Sequence, residues 1–185
     1  MPRIVAGLDA DVLVPILSCD FLLTAFDLGL YEPVVSEAVL AEVERNLVAD
    51  FPHLDPSRLK RRVGQMRSAL EDNLVTGSEV DVPDDVNPKD RHVIAAALAG
   101  EASIVVTNDK RLRSETNAAG LSLEAISADG FAARLWNNDP DGINAVIDRL
   151  VSKRTRNPIT PEDLASALRG PFPSMLASRG ASERA

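Results

Sequence analysis

Carboxylates that follow strand-like segments are the residues of this chain whose type and spacing best suit catalysis. Asp9 directly follows the apolar run of residues 4–8, and Asp11 comes two positions later in an otherwise apolar stretch. Asp109 occupies the equivalent position after the apolar run of residues 103–107. A charged carboxylate in such surroundings is costly unless a partner compensates its charge. These acids are therefore candidates for a functional site.

Two helical patterns bring further acids toward the same region. Asp90 lies in the first turn of a helix predicted to begin after Asn87, so its side chain can reach the same edge of the molecule. Glu42 lies in a helix predicted to begin at Ser36, about 100° from the centre of the apolar stripe at ~100° per residue. Glu44 lies on the opposite edge of that stripe. The helical period alone does not choose between the two glutamates.

A divalent cation is the economical partner for such a group of acids. Crowded carboxylates repel one another and raise each other's pKa unless a cation neutralises them. Hard oxygen ligands favour Mg²⁺ or Mn²⁺, which activate water and stabilise phosphoryl oxygens. The predicted chemistry is hydrolysis of a phosphodiester.

Each acid taken alone also has a structural explanation. Asp9 or Asp11 could cap the next helix. Asp90 could favour a helix dipole, and Asp109 could serve in a turn. Glu42 alone could be a solvated surface residue. The functional interpretation rests on four acids that map independently to one edge.

Alternating strands and helices must position these acids. Strands are predicted at residues 4–8, 32–35, 103–107 and 121–126, with helices at 36–47, 56–71 and 87–100. The alternation predicts an α/β fold, a parallel sheet flanked by helices. Ligands of such sheets bind outside the carboxyl ends of the strands, so Asp9 and Asp109 share one crevice if their strands are neighbours.

The character of the sequence changes near residue 128. Residues 1–128 carry the α/β pattern and are expected to form the main domain. Residues 129–178 are predicted to be a helical C-terminal extension with short helices at 131–135, 143–151 and 161–168, and residues 179–185 a disordered tail. The length of 185 residues suits one domain with such an appendage.

Composition excludes several classes of protein. The 20 basic and 28 acidic residues give a net charge of −8, which excludes a generally basic nucleic-acid-binding surface but leaves room for local basic patches. One cysteine and two histidines exclude an intramolecular disulfide and a structural zinc site with the usual ligands. No apolar run approaches the ~18 residues that span a bilayer, and no signal peptide precedes the first strand. We expect a soluble, cytoplasmic protein without membrane association.

Four segments together resemble the PIN-domain ribonucleases, and within them the VapC-type toxins of bacterial toxin–antitoxin pairs. These segments are residues 8–14, 36–47, 87–93 and 104–109. The resemblance covers roughly residues 3–128. The helical tail is similar to the C-terminal extension of a longer VapC-like subgroup.

The resemblance implies a metal-dependent endoribonuclease with an acidic pocket at one end of a PIN-like parallel sheet. Its catalytic acids fall on Asp9, Glu42, Asp90 and Asp109, and the resemblance chooses Glu42 over Glu44. Asp9, Asp90 and Asp109 would bind Mg²⁺, with Mn²⁺ able to substitute. The expected partners are an RNA substrate, a cognate antitoxin and a second copy of the chain in a homodimer.

Neighbouring residues are expected to support that metal site. Thr107 and Asn108 match the polar stretch before the last acid and would orient the metal ligands. The family usually has a hydroxyl residue after the first Asp and often Asn next, where this chain has Ala10 and Asp11. Asp11 is therefore either an additional outer ligand or a helix cap.

Basic residues and a histidine near the acids have less specific interpretations. Lys110, Arg111 and Arg113 directly follow Asp109 and could hold an RNA phosphate beside the metal, or be solvated helix residues. His92 lies beside Asp90 on the predicted helix, but the side chains of adjacent helical residues point about 100° apart and do not face each other. We therefore expect His92 to be a structural residue. The antitoxin is expected to block the pocket, for example by inserting a positively charged side chain among the acids.

Two alternative functions stay open at the level of sequence. A haloacid-dehalogenase-type phosphohydrolase would use Asp9 as nucleophile and Asp11 as acid, although Arg113 stands where that family has a second acid. A phosphoenzyme trapped on Asp9 would favour it. The other alternative is a non-catalytic PIN-like binding module, which intact RNA after long incubation with Mn²⁺ would support.

Overall fold

A parallel sheet organises the first two-thirds of the chain. The computed structural model describes residues 4–76, 80–155 and 157–182. The strands within them are β1 (Val5–Leu8), β2 (Glu32–Ser36), β3 (Leu74–Val75), β4 (Ile104–Val106) and β5 (Glu124–Ile126). All neighbouring strands pair in parallel, in the order β3-β2-β1-β4-β5. The predicted α/β fold with a parallel sheet is confirmed.

Helices cover the sheet and continue to the end of the described chain. They are α1 (Ala10–Leu13), α2 (Ile16–Asp27), α3 (Glu37–Asp50), α4 (Pro56–Ala69), α5 (Arg91–Ala99), α6 (Lys110–Ala118), α7 (Ala128–Asn138), α8 (Pro140–Ser152), α9 (Pro161–Leu168) and α10 (Pro173–Ser182). Ser36 caps α3 as predicted, since its hydroxyl accepts a hydrogen bond from the Val39 N–H at 3.3 Å. No helix in residues 4–76, 80–155 and 157–182 is both long and apolar enough to span a bilayer.

The helix that carries Asp90 begins later than predicted. Asn87 accepts a hydrogen bond from the Lys89 N–H at 3.0 Å through its side chain, and one from the Asp90 N–H at 2.9 Å through its carbonyl. These contacts close a separate turn, and α5 starts only at Arg91. Asp90 therefore lies immediately before the helix and not within its first turn.

The two central strands place Asp9 and Asp109 at the same edge of the sheet. β1 lies between β2 and β4, with Leu8 in register with Val106. The Asp9 N–H donates to the Val106 carbonyl at 3.1 Å, which carries the pairing one residue past the end of β1. The sequence predicted that Asp9 and Asp109 share one crevice if the strands that precede them are neighbours. β1 and β4 are indeed neighbours.

A close contact between small residues fixes α5 on the sheet. A Cβ atom at Gly7 would lie 2.8 Å from the Cβ of Ala97, well inside the usual 3.5–4.0 Å separation of packed carbons. Only glycine in β1 allows α5 to approach this closely. The contact sets the distance between the sheet and the helix that follows Asp90.

The C-terminal helices share one hydrophobic core with the sheet. The rings of Phe21 in α2 and Phe172 before α10 have their centroids 4.5 Å apart, and those of Tyr31 and Phe131 are 4.9 Å apart. α7 and α8 are longer than the short helices predicted at 131–135 and 143–151. α10 continues to Ser182 through part of the expected tail, of which residues 183–185 lie outside the described chain.

We predict that Gly7→Ala lowers the free energy of unfolding by about 1–3 kcal/mol, because the added methyl group overpacks the contact with Ala97. Gly64→Ala is the matched control, since Gly64 lies in α4 and a Cβ atom added there would have no atom within 4 Å apart from its chain neighbours and the nearby backbone of its own helix. That change should raise stability by about 0.5–1 kcal/mol. Urea unfolding followed by circular dichroism measures both. Equal stability of the two variants would contradict the close contact.

Candidate active site

Asp9 is a buried carboxylate with both oxygens held in place. Its side chain caps α1, accepting a hydrogen bond from the Ala10 N–H at 2.6 Å. The other oxygen accepts from the Thr107 hydroxyl at 2.7 Å, across from the end of β4. Asp9 is only 8% exposed to solvent. The fold therefore fixes a carboxylate at the carboxyl end of the sheet.

Asp11 adds a second carboxylate to the same point. Its Oδ2 accepts from the Asn108 N–H at 2.8 Å and lies 3.3 Å from the Thr107 hydroxyl. Its Oδ1 is buried and has no hydrogen-bond partner among the described residues. A buried carboxylate oxygen without a donor is expensive and indicates a place for a cation or a proton.

Thr107 connects the strand ends that carry three of the acids. Its buried hydroxyl contacts Asp9 and Asp11, and the same oxygen accepts a hydrogen bond from the Asp109 N–H at 3.1 Å. Asp109 in turn caps α6, accepting from the N–H groups of Arg111 at 2.7 Å and Leu112 at 3.2 Å. The Thr107 hydroxyl, together with the Asp11 carboxylate that accepts from the Asn108 N–H, thus joins the loop after β1 to the loop after β4.

Burial and mutual repulsion destabilise the charged forms of these acids. Burial, and after it the charge of Asp11, raise the pKa of Asp9 from its ordinary 3.8 to about 6, even though the hydrogen bonds from Thr107 and Ala10 lower it. Burial also raises the pKa of Asp11, to which the nearby charge of Asp109 contributes. The charge of Glu42 makes a smaller contribution that also raises the pKa of Asp9.

Asp90 reaches the group through an arginine. The Arg111 guanidinium lies 2.8 Å from the Asp90 carboxylate, 4.0 Å from that of Asp109 and 3.7 Å from that of Glu115. Glu115 also accepts a hydrogen bond from the Asn87 N–H at 3.0 Å, which ties the turn before α5 to α6. Arg111 therefore neutralises acids of the site from within the same chain.

Glu42 contacts a histidine that the sequence pattern indicated to be structural. The Nε2 of His92 lies 3.0 Å from the Glu42 carboxylate, although the approach lacks the angle of a hydrogen bond. Both side chains are about a third exposed or less, so they are accessible from the site. The contact joins α3 to α5, and no signal within either helix indicates it because the two residues meet only across the packed helices.

The other predicted residues brace the loop after β4. Arg113 donates to the Thr107 carbonyl at 2.7 Å, and the Asn108 side chain accepts from the Ala128 N–H at 3.2 Å. Lys110 is exposed at the start of α6. The roles of these residues in RNA binding and in orienting metal ligands stay predictions.

The acids surround one region without forming a closed cage. Asp9, Asp11 and Asp109 meet around Thr107, whereas Asp90 is linked to Asp109 through Arg111, and Glu42 lines a cavity together with Asp90. Among the described residues, no group of three or more Asp, Glu, His or Cys side chains is close enough to hold a metal ion as it stands. The donor set nevertheless fits a hard cation, because carboxylate oxygens predominate and one buried oxygen lacks a partner.

Comparison with known proteins finds one family. The profile described as PIN domain matches residues 6–111, which is more than half of the chain and includes all four predicted catalytic acids. No curated protein and no solved structure matches the sequence. The match gives no support to the haloacid dehalogenase alternative.

We predict that Asp9→Asn stabilises the metal-free protein. Because the pKa of Asp9 is higher in the folded than in the unfolded state, its protonated form favours folding. This contribution to the free energy of unfolding is fully present below about pH 4 and is lost as the pH rises through about 6. In EDTA, the variant should therefore exceed the wild type in free energy of unfolding by about 2–3 kcal/mol at about pH 7.5, and the difference should vanish near pH 4. Urea unfolding across this pH range measures it.

Asp148→Asn is the matched control, because Asp148 lies on the exposed face of α8. Its effect should stay within about 0.5 kcal/mol at every pH. A difference between Asp9→Asn and the wild type that does not depend on pH would contradict the proposed cost of burying the charge.

Proposed function

The chain belongs to the PIN-domain family, and we propose that it is an endoribonuclease that hydrolyses RNA phosphodiester bonds with Mg²⁺, or with Mn²⁺ in its place. Proteins of this family are nucleases that act on nucleic acid and generally use divalent metal ions. The observation that carries the proposal is the pair Asp9 and Asp11 at the carboxyl end of the sheet, in which Asp9 is buried and a buried oxygen of Asp11 has no partner among the described residues.

Asp9, Asp90 and Asp109 are the residues that would hold the metal ion, and Asp11, Thr107 and Asn108 would orient them. When bound, the ion would lower the pKa of a water molecule and neutralise charge on the phosphoryl oxygens. The geometry supports this assignment at Asp9, whose orientation is set by Thr107. It supports it at Asp109 through the N-terminus of α6, whose N–H groups hold that carboxylate.

The remaining catalytic acid, Glu42, would accept a proton from the attacking water. Its contact with His92 holds the carboxylate on the α5 side of the region. Its place beside Asp90 in the lining of one cavity supports a location near the reacting atoms. A general base of this kind typically contributes 10²–10⁴-fold to a rate.

We further propose that this nuclease is the cytoplasmic toxin of a type II toxin–antitoxin pair and acts as a homodimer. The support is the likeness of its motifs to VapC-type toxins, together with the position of Arg111. That guanidinium already lies among Asp90, Asp109 and Glu115. A cationic side chain of an antitoxin could neutralise the same acids.

We predict that the wild-type protein cleaves labelled RNA with Mg²⁺ or Mn²⁺ but not in EDTA. Asp9→Asn and Asp109→Asn should lower the rate by at least about a hundredfold, because each removes a charged ligand. Mn²⁺ should raise the melting temperature of the wild type and not that of Asp9→Asn, which provides a measurement independent of activity. Denaturing gels and thermal unfolding measure the two effects.

Asp148→Asn should cleave RNA and respond to Mn²⁺ like the wild type, because it lies outside the site. Intact RNA after long incubation of the wild type with Mn²⁺ would favour a non-catalytic binding module. Equal cleavage by the wild type, Asp9→Asn and Asp109→Asn would remove the mechanism.

We also predict that induced expression of the wild-type chain arrests bacterial growth, whereas Asp109→Asn at equal protein level does not. RNA cleavage by a free toxin explains the arrest, and growth curves with immunoblots measure it. Normal growth despite an active purified nuclease would contradict the toxin assignment alone.

A further inference from the structure

Most of the cations around the acids are already engaged within the chain. Arg111 contacts Asp90, and Arg113 donates to the Thr107 carbonyl. Arg62 in α4 donates to the carbonyls of Leu13 and Val14 at 3.2 and 2.9 Å. A chain with a net charge of −8 thus uses these arginines to hold its own loops and acids.

Arg45 and Lys89 differ from these cations. Both side chains are exposed, and neither forms an ion pair or a hydrogen bond within the described residues. They nevertheless line one cavity of about 400 Å³ together with Glu42, Asp90 and His92. The cavity therefore combines two available positive charges with two of the predicted catalytic acids.

Two separate elements deliver these charges to the same place. Arg45 follows Glu42 by three residues on α3, so the two side chains lie on the same face of that helix. Lys89 precedes Asp90 in the turn before α5, which the Asn87 side chain holds by its hydrogen bond to the Lys89 N–H. Each cation is thus coupled through the backbone to one acid.

We propose that the RNA backbone crosses the site between α3 and α5, with a phosphate next to the scissile one bound by Arg45 and Lys89. The inference rests on the proposed nuclease function and names the path of its substrate. This cavity fits an RNA strand. The acids act on the scissile phosphate, and the neighbouring phosphates, which do not react, need cations directly beside those acids. The α6 side offers less, since two of its three cations are engaged.

The test compares Arg45→Ala, Lys89→Ala and the double variant with the wild type on one single-stranded RNA. KM should rise about tenfold for each single change, with kcat within about twofold of the wild type, because charge-assisted contacts to phosphate are lost away from the reacting atoms. Fluorescence anisotropy in EDTA measures binding without cleavage. The slope of log affinity against log salt should fall by about 0.7 for each cation removed.

Four charge reversals extend the comparison, namely Arg45→Glu, Lys89→Glu, Arg169→Glu and Lys110→Glu. Arg169→Glu changes an exposed cation that lines the cavity between α9 and α10, and its KM should equal that of the wild type. Lys110→Glu changes the exposed cation at the start of α6, which forms no ion pair with any residue that the structure describes. A larger rise of KM in Lys110→Glu than in Arg45→Glu or Lys89→Glu would overturn the proposed path in favour of α6.

If the wild type cleaves RNA and the Arg45 and Lys89 variants keep its KM and salt slope, the proposed RNA path is overturned. The nuclease proposal would then still stand. Such a result would also direct attention to an acidic protein partner for the two cations. A wild type that neither binds nor cleaves RNA would overturn the nuclease proposal together with the path. Melting temperatures of all variants confirm that the comparison is between folded proteins.

Discussion

The hydroxyl group of Thr107 is the interaction on which the arrangement of the acids depends. It lies at the end of β4, where it contacts the carboxylates of Asp9 and Asp11 and accepts the Asp109 N–H. A hydroxyl has one proton to donate, so it cannot fully satisfy two carboxylates at once. The fold brings the charges together and leaves them incompletely compensated, which is the condition under which a cation binds.

Arg111 compensates part of the negative charge of the acids from within the chain. Its guanidinium stays half exposed and forms contacts of 2.8 to 4.0 Å with three carboxylates. Exposed ion pairs of this kind contribute little to stability. Such a contact can therefore be exchanged at small cost, whereas the buried hydrogen bonds of Asp9 hold the part of the site that has to stay fixed.

The positions of Asp9 and Asp109 could be predicted because each follows a buried strand, and parallel strands end at one edge of their sheet. The choice of Glu42 over Glu44 required the family resemblance, since the helical period places both at an edge of the stripe. The contact between Glu42 and His92 depends on the packing of α3 against α5, which no local pattern encodes. β3 was not predicted, because two residues are too few to show a strand period.

The contact between Phe21 and Phe172 has a consequence for synthesis of the protein. A chain emerging from the ribosome can form the sheet early, yet the face of α2 that receives Phe172 stays uncovered until that residue has been translated. The ring of Phe21, fully buried in the finished fold, lacks this part of its cover until then. Formation of the sheet and completion of the core around α2 are therefore separate events in synthesis.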